Sequence, residues 1–165
     1  MPDVIFDNCV LSNFALSGSP SIIKRLYANT AYATDFAVAE NMKGLLKGYA
    51  GLAAVREAIK EGWLKEITLE TEDEKSLFES LSVSMGLGEA SSIAVAKTRG
   101  FVFACDDRVA RREAGFLGVE LTGTIGIIMK AVKKKLFSPK EADSILRRMI
   151  AHGFYSPINS IKKVL

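Results

Sequence analysis

Short apolar runs alternate along this chain with longer stretches of helical period. The run "DVIFD" reads as a strand ending at Asp7, and "NCVLSNFALSG" carries apolar residues at helical spacing up to Gly18. Ser19 as N-cap and Pro20 at the first helical position predict a short helix over "SPSIIKRLYAN". A strand over "AYATD" follows, with Asp35 expected to cap the helix "FAVAENMKGLLKGY", where Glu40 and Lys43 lie one turn apart. "AGLAAVREAIKEG" predicts a helix closed by Gly62, and "WLKEITL" a third strand. Thr71 and Glu74 form a T-x-x-E box that opens a helix running to about Met85. The glycine-flanked "GLGEASSIAVAKTRG" makes the next helix, with Glu89 in its first turn. Strand "FVFACD", helix "DRVARREAGFLG", strand "VELTG" and helix "TIGIIMKAVKKKLF" continue the alternation. Ser138, Pro139 and Glu141 open a last helix, and "FYSPINSIKKVL" closes the chain as a short packed element.

Strands separated by helices of this length imply right-handed βαβ units, hence a mainly parallel sheet with helices on both faces. In such sheets ligands gather at the carboxyl ends of the strands. That rule gives the acids meaning. Asp7 ends the first strand, Asp106 and Asp107 end a later one, Glu40 lies in the helix after the second strand, and Glu89 opens the helix that feeds the Asp106 strand. Glu89 precedes its strand, so it reaches the same edge only if its helix N-terminus packs across the sheet.

Composition narrows the setting. A chain of 165 residues, 48% hydrophobic and 25% charged, fits one domain over 1–165 that buries a core without disulfides or structural metal. The net charge of +3 permits nucleic acid as a partner without arguing for it. Cys9 and Cys105 lie in apolar segments and match no metal-binding spacing, so they are expected to be reduced, buried thiols of a cytoplasmic protein. Early aspartates exclude a signal-peptide core, and no apolar run approaches the roughly 20 residues of a spanning helix, so no membrane association is expected.

Carboxylates gathered without histidine or thiolate partners suit a hard divalent cation, Mg²⁺ or Mn²⁺, and at close range they would otherwise repel and take up protons. Each acid also has a plainer role open to it. Glu89 complements a helix dipole; Asp7 and Asp107 cap the helices that follow them; Asp106 marks a strand's exit to water; Glu40 pairs with Lys43 or Lys47. The pattern carries more than any member. His152, near a helix end, and Trp63, after Gly62, are read as a dipole partner and a core or interface residue.

The order Asp7 in "VIFDNCVLS", Glu40 in "AVAEN", Glu89 in "GLGEASSIAVAKTRG" and Asp106–Asp107 in "FACDDRVARREA", with "TGTIGIIMKA" after it, resembles the PIN-domain nucleases. The likeness is to the VapC-toxin-like branch with a Gly-Glu-Ala third motif and an Asp-Asp-x-x-Ala-Arg fourth motif, and it covers nearly the whole chain. The resemblance implies a three-layer α/β/α fold with a central mainly parallel sheet, Mg²⁺- or Mn²⁺-dependent cleavage of single-stranded or structured RNA, a homodimer, and for many members a toxin role beside an antitoxin protein. It further implies Asp7, Glu40, Glu89 and Asp107 as catalytic residues. Asp7, Glu89 and Asp107 would hold metal, joined by Asp106 for a second ion. Arg108, Arg111, Arg112, Lys43 and Lys47 would hold the RNA backbone, each with a solvated surface role as the plainer reading. Where the family usually has Thr, Ser or Asn two residues after the first acid, this chain has Cys9.

Two other readings remain. One is a PIN-like module that binds RNA or protein without cleaving. The other is a phosphatase or receiver-like α/β domain, for which no phosphoacceptor arrangement can be assembled from this sequence and which has no use for Glu40 and Glu89.

Overall fold

The computed structural model describes residues 2–165. Five strands, β1 (Val4–Phe6), β2 (Ala31–Thr34), β3 (Leu64–Ile67), β4 (Val102–Ala104) and β5 (Leu121–Thr122), form one sheet in the order β3-β2-β1-β4-β5, with every pairing parallel. Around it lie α1 (Asn8–Leu16), α2 (Ser21–Tyr27), α3 (Asp35–Leu46), α4 (Ala53–Glu61), α5 (Glu72–Leu81), α6 (Leu87–Arg99), α7 (Arg108–Phe116), α8 (Thr124–Lys133) and α9 (Pro139–Ala151).

The period of two along the strands sorts the side chains into two cores. Val4 and Phe6 of β1, Ala31 and Ala33 of β2, and Val102 and Ala104 of β4 face a cluster built with α1, α2, α4, α8 and α9. Ile5 and Phe103 face the opposite cluster, built with α5, α6 and α7, and Cys105 continues that face beyond β4. The result is the expected three-layer α/β/α arrangement. Trp63 lies in the first core.

The strands are shorter than the sequence implied, because β4 ends at Ala104 and β5 spans two residues. Both expected capping boxes are present, Thr71 with Glu74 and Ser138 with Glu141. Three helix ends differ from expectation. Thr34, not Asp35, caps α3 by accepting from the Ala37 amide at 3.2 Å, so Asp35 becomes the first helical residue. The Ser19 hydroxyl does not cap α2; it bonds Ser17 instead, and α2 starts at Ser21 after Pro20. α5 stops at Leu81 rather than near Met85.

Strand order fixes where a ligand can sit. From β1 the chain builds outward through β2 to β3, then crosses to the other side of β1 for β4 and β5. The connections leaving β1 and β4 therefore diverge, opening a crevice at the carboxyl ends of these two central strands. Phe6 pairs with Ala104, and the Asp7 amide donates to the Ala104 carbonyl at 2.9 Å. Asp7 and Cys105 are thereby brought side by side at the mouth of the crevice.

Candidate functional site

Asp7 occupies the N-cap position of α1, yet its side chain makes no capping hydrogen bond. The plain reading of Asp7 as a helix cap therefore fails. It is 3% exposed; its Oδ2 accepts from the Cys9 thiol at 2.9 Å and lies 3.8 Å from the Cys105 sulfur, while its Oδ1 has no partner. Burial pushes its pKa above the usual carboxylate value, against the lowering effect of the Cys9 thiol and of the Asn8 and Cys9 amides.

Glu40, in the second turn of α3, reaches α6. Its Oε1 accepts from the Gly88 amide at 3.0 Å, so Glu40 satisfies a free N–H at the start of that helix. A side chain at Gly88 would not fit: a Cβ there would lie 2.6 Å from Glu40 Oε1 and 2.8 Å from Oε2. Burial, and then the charge of Asp7, raise the Glu40 pKa, while the Gly88 amide and Lys43 lower it.

Glu89 does pack across the sheet edge. Burial first, then the charges of Asp7 and Asp107, a hydrogen bond with Asp107, and the charge of Glu40 push its pKa up to about 8. Four acids from four separated segments thus act on one another at the β1/β4 crevice. Among the described residues, the buried side-chain nitrogen and oxygen atoms without a hydrogen-bond partner belong to Asp7 (Oδ1), Glu89 (Oε2) and Asn41, the neighbour of Glu40. Buried polar atoms are normally paired, and those left over here belong to this cluster or adjoin it in sequence.

The two aspartates after β4 divide the work. Asp107 caps α7, with Oδ2 accepting from the Ala110 amide at 2.9 Å, and is otherwise exposed toward Glu89. Asp106 turns to α8: Oδ1 accepts from the Thr124 amide at 2.9 Å, and Oδ2 from the Thr124 hydroxyl and from Asn13 Nδ2 at 3.2 Å. Gly123 makes room, since a Cβ there would meet Asp106 Oδ1 at 2.7 Å. Asp106 ties three segments together at the back of the crevice.

The basic residues separate as well. Arg111 donates through one nitrogen to the carbonyls of Cys105 at 2.6 Å and Thr122 at 2.9 Å, clamping the ends of β4 and β5. Arg108 is exposed and lines a groove with Cys9, Asn13, Asp106 and Asp107. Arg112 is exposed on α7, and Lys43 and Lys47 are exposed at the C-terminal end of α3. His152 is the C-cap of α9.

Sequence reasoning missed two components. The tail does not merely close the chain: Phe154, Tyr155 and Pro157 form one wall of the groove that holds Asp107 and Arg108, and Tyr155 is 97% exposed. The thiols are the other. Among the described residues, the group of potential metal donors whose atoms all lie within 4.8 Å of one another is Asp7, Cys9 and Cys105, not three of the acids. A signal was available, since one cysteine stands two residues after Asp7 and the other directly before Asp106.

A family model described as a PIN domain matches residues 3–165. The chain belongs to the PIN-domain family. A comparison with curated proteins finds no match. PIN domains are generally nucleases that use divalent metal ions, and in this PIN domain the donor chemistry fits such an ion. The acids offer hard oxygen ligands, two of them carry buried oxygens with no hydrogen bond, and burial with mutual repulsion raises their pKa values, an effect that a cation would oppose. Among the described residues, no helix is long and apolar enough to cross a membrane.

Proposed function

We propose that this PIN domain is a Mg²⁺- or Mn²⁺-dependent endoribonuclease acting on single-stranded RNA. The observation that carries the reading is the convergence of Asp7, Glu40, Glu89 and Asp107 at the β1/β4 crevice, with unpaired buried oxygens on Asp7 and Glu89.

Asp7, Glu89 and Asp107 would hold the cation, with the second oxygen of Asp107 on the Ala110 amide. Bound there, it would make a better nucleophile of water and offset charge on the phosphodiester. Glu40, oriented by the Gly88 amide, accepts a proton from the attacking water. Asp106 positions the α8 N-terminus and Asn13 instead of meeting substrate. Arg108 supplies a charge for the RNA backbone at the groove, and the exposed ring of Tyr155 offers a surface on which a base can stack. An unstacked single strand presents bases in the way such a ring requires. Arg111, with its donors on two carbonyls, holds the wall of the groove in shape. The toxin role, an antitoxin protein and pairing with a second copy extend the same proposal, on the resemblance alone.

A second reading, RNA binding without cleavage, draws on Cys9 at a position where the family usually has a hydroxyl or amide. The deciding experiment is cleavage of single-stranded RNA with Mn²⁺ or Mg²⁺ by wild type, Asp7→Asn and Asp107→Asn. Loss of cleavage in both variants is expected. Equal residual cleavage by all three sinks the enzyme, and retained binding without cleavage by wild type establishes the second reading.

A further inference from the structure

We propose that Asp7, Cys9 and Cys105 form a binding site for a thiophilic divalent cation of the Zn²⁺ class, and that its occupancy opposes binding of the hard cation at the carboxylates. The site itself stands on geometry alone; the antagonism rests on the metal centre proposed above.

Three donors from two segments already face one another. Asp7 Oδ2 lies 2.9 Å from the Cys9 sulfur and 3.8 Å from the Cys105 sulfur, and all three donor atoms fall within 4.8 Å. In a tetrahedral zinc shell, Zn–S bonds of about 2.3 Å and Zn–O bonds of about 2.0 Å set neighbouring donors about 3.5 to 3.8 Å apart. The observed O···S separations bracket that range, so the Cys9 side chain need open by only about half an ångström. The fourth position falls to water, as where three protein ligands bind zinc.

Independent features point to a cation. Asp7 is 3% exposed and its Oδ1 makes no hydrogen bond, although the Asn8 and Cys9 amides lie close enough to the carboxylate to lower its pKa and the thiols occupy Oδ2. The Asp107 amide donates to the Cys105 sulfur at 3.3 Å, which orients that sulfur toward Asp7 and Cys9. Access exists as well: Cys9 is half-buried and lines the groove beside Asn13 and Arg108, whereas Cys105 lies behind it. Binding replaces the thiol protons with the metal ion and releases them to solvent; no oxidation is involved. The carboxylates gathered around these donors favour a dication.

Soft sulfur ligands select against Mg²⁺ and Mn²⁺ and for zinc-like ions. A dication held on Asp7 would withdraw that carboxylate's charge from Glu89 and Glu40 and repel a second cation beside it. The chain's first acid therefore belongs to two donor sets of opposite preference, and which ion holds it sets the state of the site.

Co²⁺ is the probe, titrated into the whole chain with reductant present. Cys9 and Cys105 are the chain's two cysteines, so thiolate-to-cobalt charge-transfer absorption reports them directly. The expected result is a saturable band near one equivalent, bleached by Zn²⁺, at least halved in Cys9→Ser and abolished in Cys105→Ala. Should Cys105→Ala fail to fold by circular dichroism, the half-buried Cys9→Ser carries the comparison. The electron paramagnetic resonance signal of free Mn²⁺ should show apparent Mn²⁺ affinity at least tenfold weaker after one equivalent of Zn²⁺. Absence of the band in folded wild type, or its full retention in Cys9→Ser, overturns the site; unchanged Mn²⁺ affinity overturns the antagonism. The cobalt spectrum does not depend on RNA cleavage, so an inactive enzyme with a normal band would sink the nuclease and leave the thiophilic site standing.

Discussion

The Gly88 amide donates to Glu40 Oε1 at 3.0 Å across the α3–α6 interface, and the absence of a side chain at Gly88 lets the carboxylate approach. Gly88→Ala would put a methyl carbon 2.6 Å from that oxygen. Alanine is the better helix former by about 1 kcal/mol, which offsets part of the strain. The variant is therefore expected to melt within a few degrees of wild type while losing up to about 100-fold in RNA cleavage, because a catalytic group displaced by an ångström can lose that much. Parallel melting and initial-rate measurements check it; a large loss of stability with normal specific activity would contradict it.

Asp7 is expected to set stability against activity. Its buried carboxylate with an unpaired oxygen is a liability in the metal-free fold, so Asp7→Asn should leave the metal-free melting temperature unchanged or raise it while abolishing cleavage. In wild type, Mn²⁺ at a hundred times its dissociation constant should stabilise by about 2.7 kcal/mol. Thermal melts with Mn²⁺ and with a chelator should show that gain in wild type and its loss in Asp7→Asn.

Away from the site, Glu74 joins α5 to α6. Its carboxylate accepts from Arg99 Nε at 2.6 Å, from the Thr98 hydroxyl at 3.0 Å and from the Glu70 amide at 2.7 Å. Arg99 first among these holds its pKa down to about 2, from an ordinary 4.5. Because the folded value lies below the unfolded one, the native state binds fewer protons, and the contribution of about 3 kcal/mol is present above pH 4.5 and lost as pH falls toward 2. Urea unfolding should show wild type exceeding Glu74→Gln at neutral pH, with the gap narrowing across that acid window. A gap independent of pH would remove the ion pair as its cause.

Tyr155 and Arg108 should affect RNA binding differently. At 97% exposure, Tyr155 can lose its ring without loss of fold, and Tyr155→Ala is expected to weaken single-strand binding by about 1–3 kcal/mol, with Tyr155→Trp restoring it. Arg108→Ala should reduce the salt dependence of affinity by about one ion. Fluorescence anisotropy at several salt concentrations separates the two effects.

Much of this was legible in the sequence because the local signals and the fold agree. Thr71 with Glu74 and Ser138 with Glu141 are capping boxes in both, and Gly62 closes α4 in a left-handed conformation as a C-terminal glycine should. The aspartates were legible as strand-end residues. Their division was not, since nothing local says that Asp106 turns to Thr124 and Asn13 while Asp107 faces Glu89. The contact between Cys9 and Cys105 was equally hidden, because it follows from the register of β1 against β4, which no short-range pattern encodes. Thr34 displaced Asp35 as a cap for a similar reason: β2 extends as far as its pairing with β3 allows, and Ile67 holds Thr34 in the ladder.

That central pairing also has a consequence in time. Asp7 directly follows the first strand, and its neighbour Cys105 lies 98 residues further along the chain. Contacts of such long range form late, after the loop entropy between them has been overcome. A ribosome making this protein would carry the first acid without Cys105 and Asp107 beside it until β4 and the start of α7 had emerged. For the nuclease proposed above, a centre split in this way would keep the nascent chain inactive toward the messenger that encodes it until β4 and α7 had emerged.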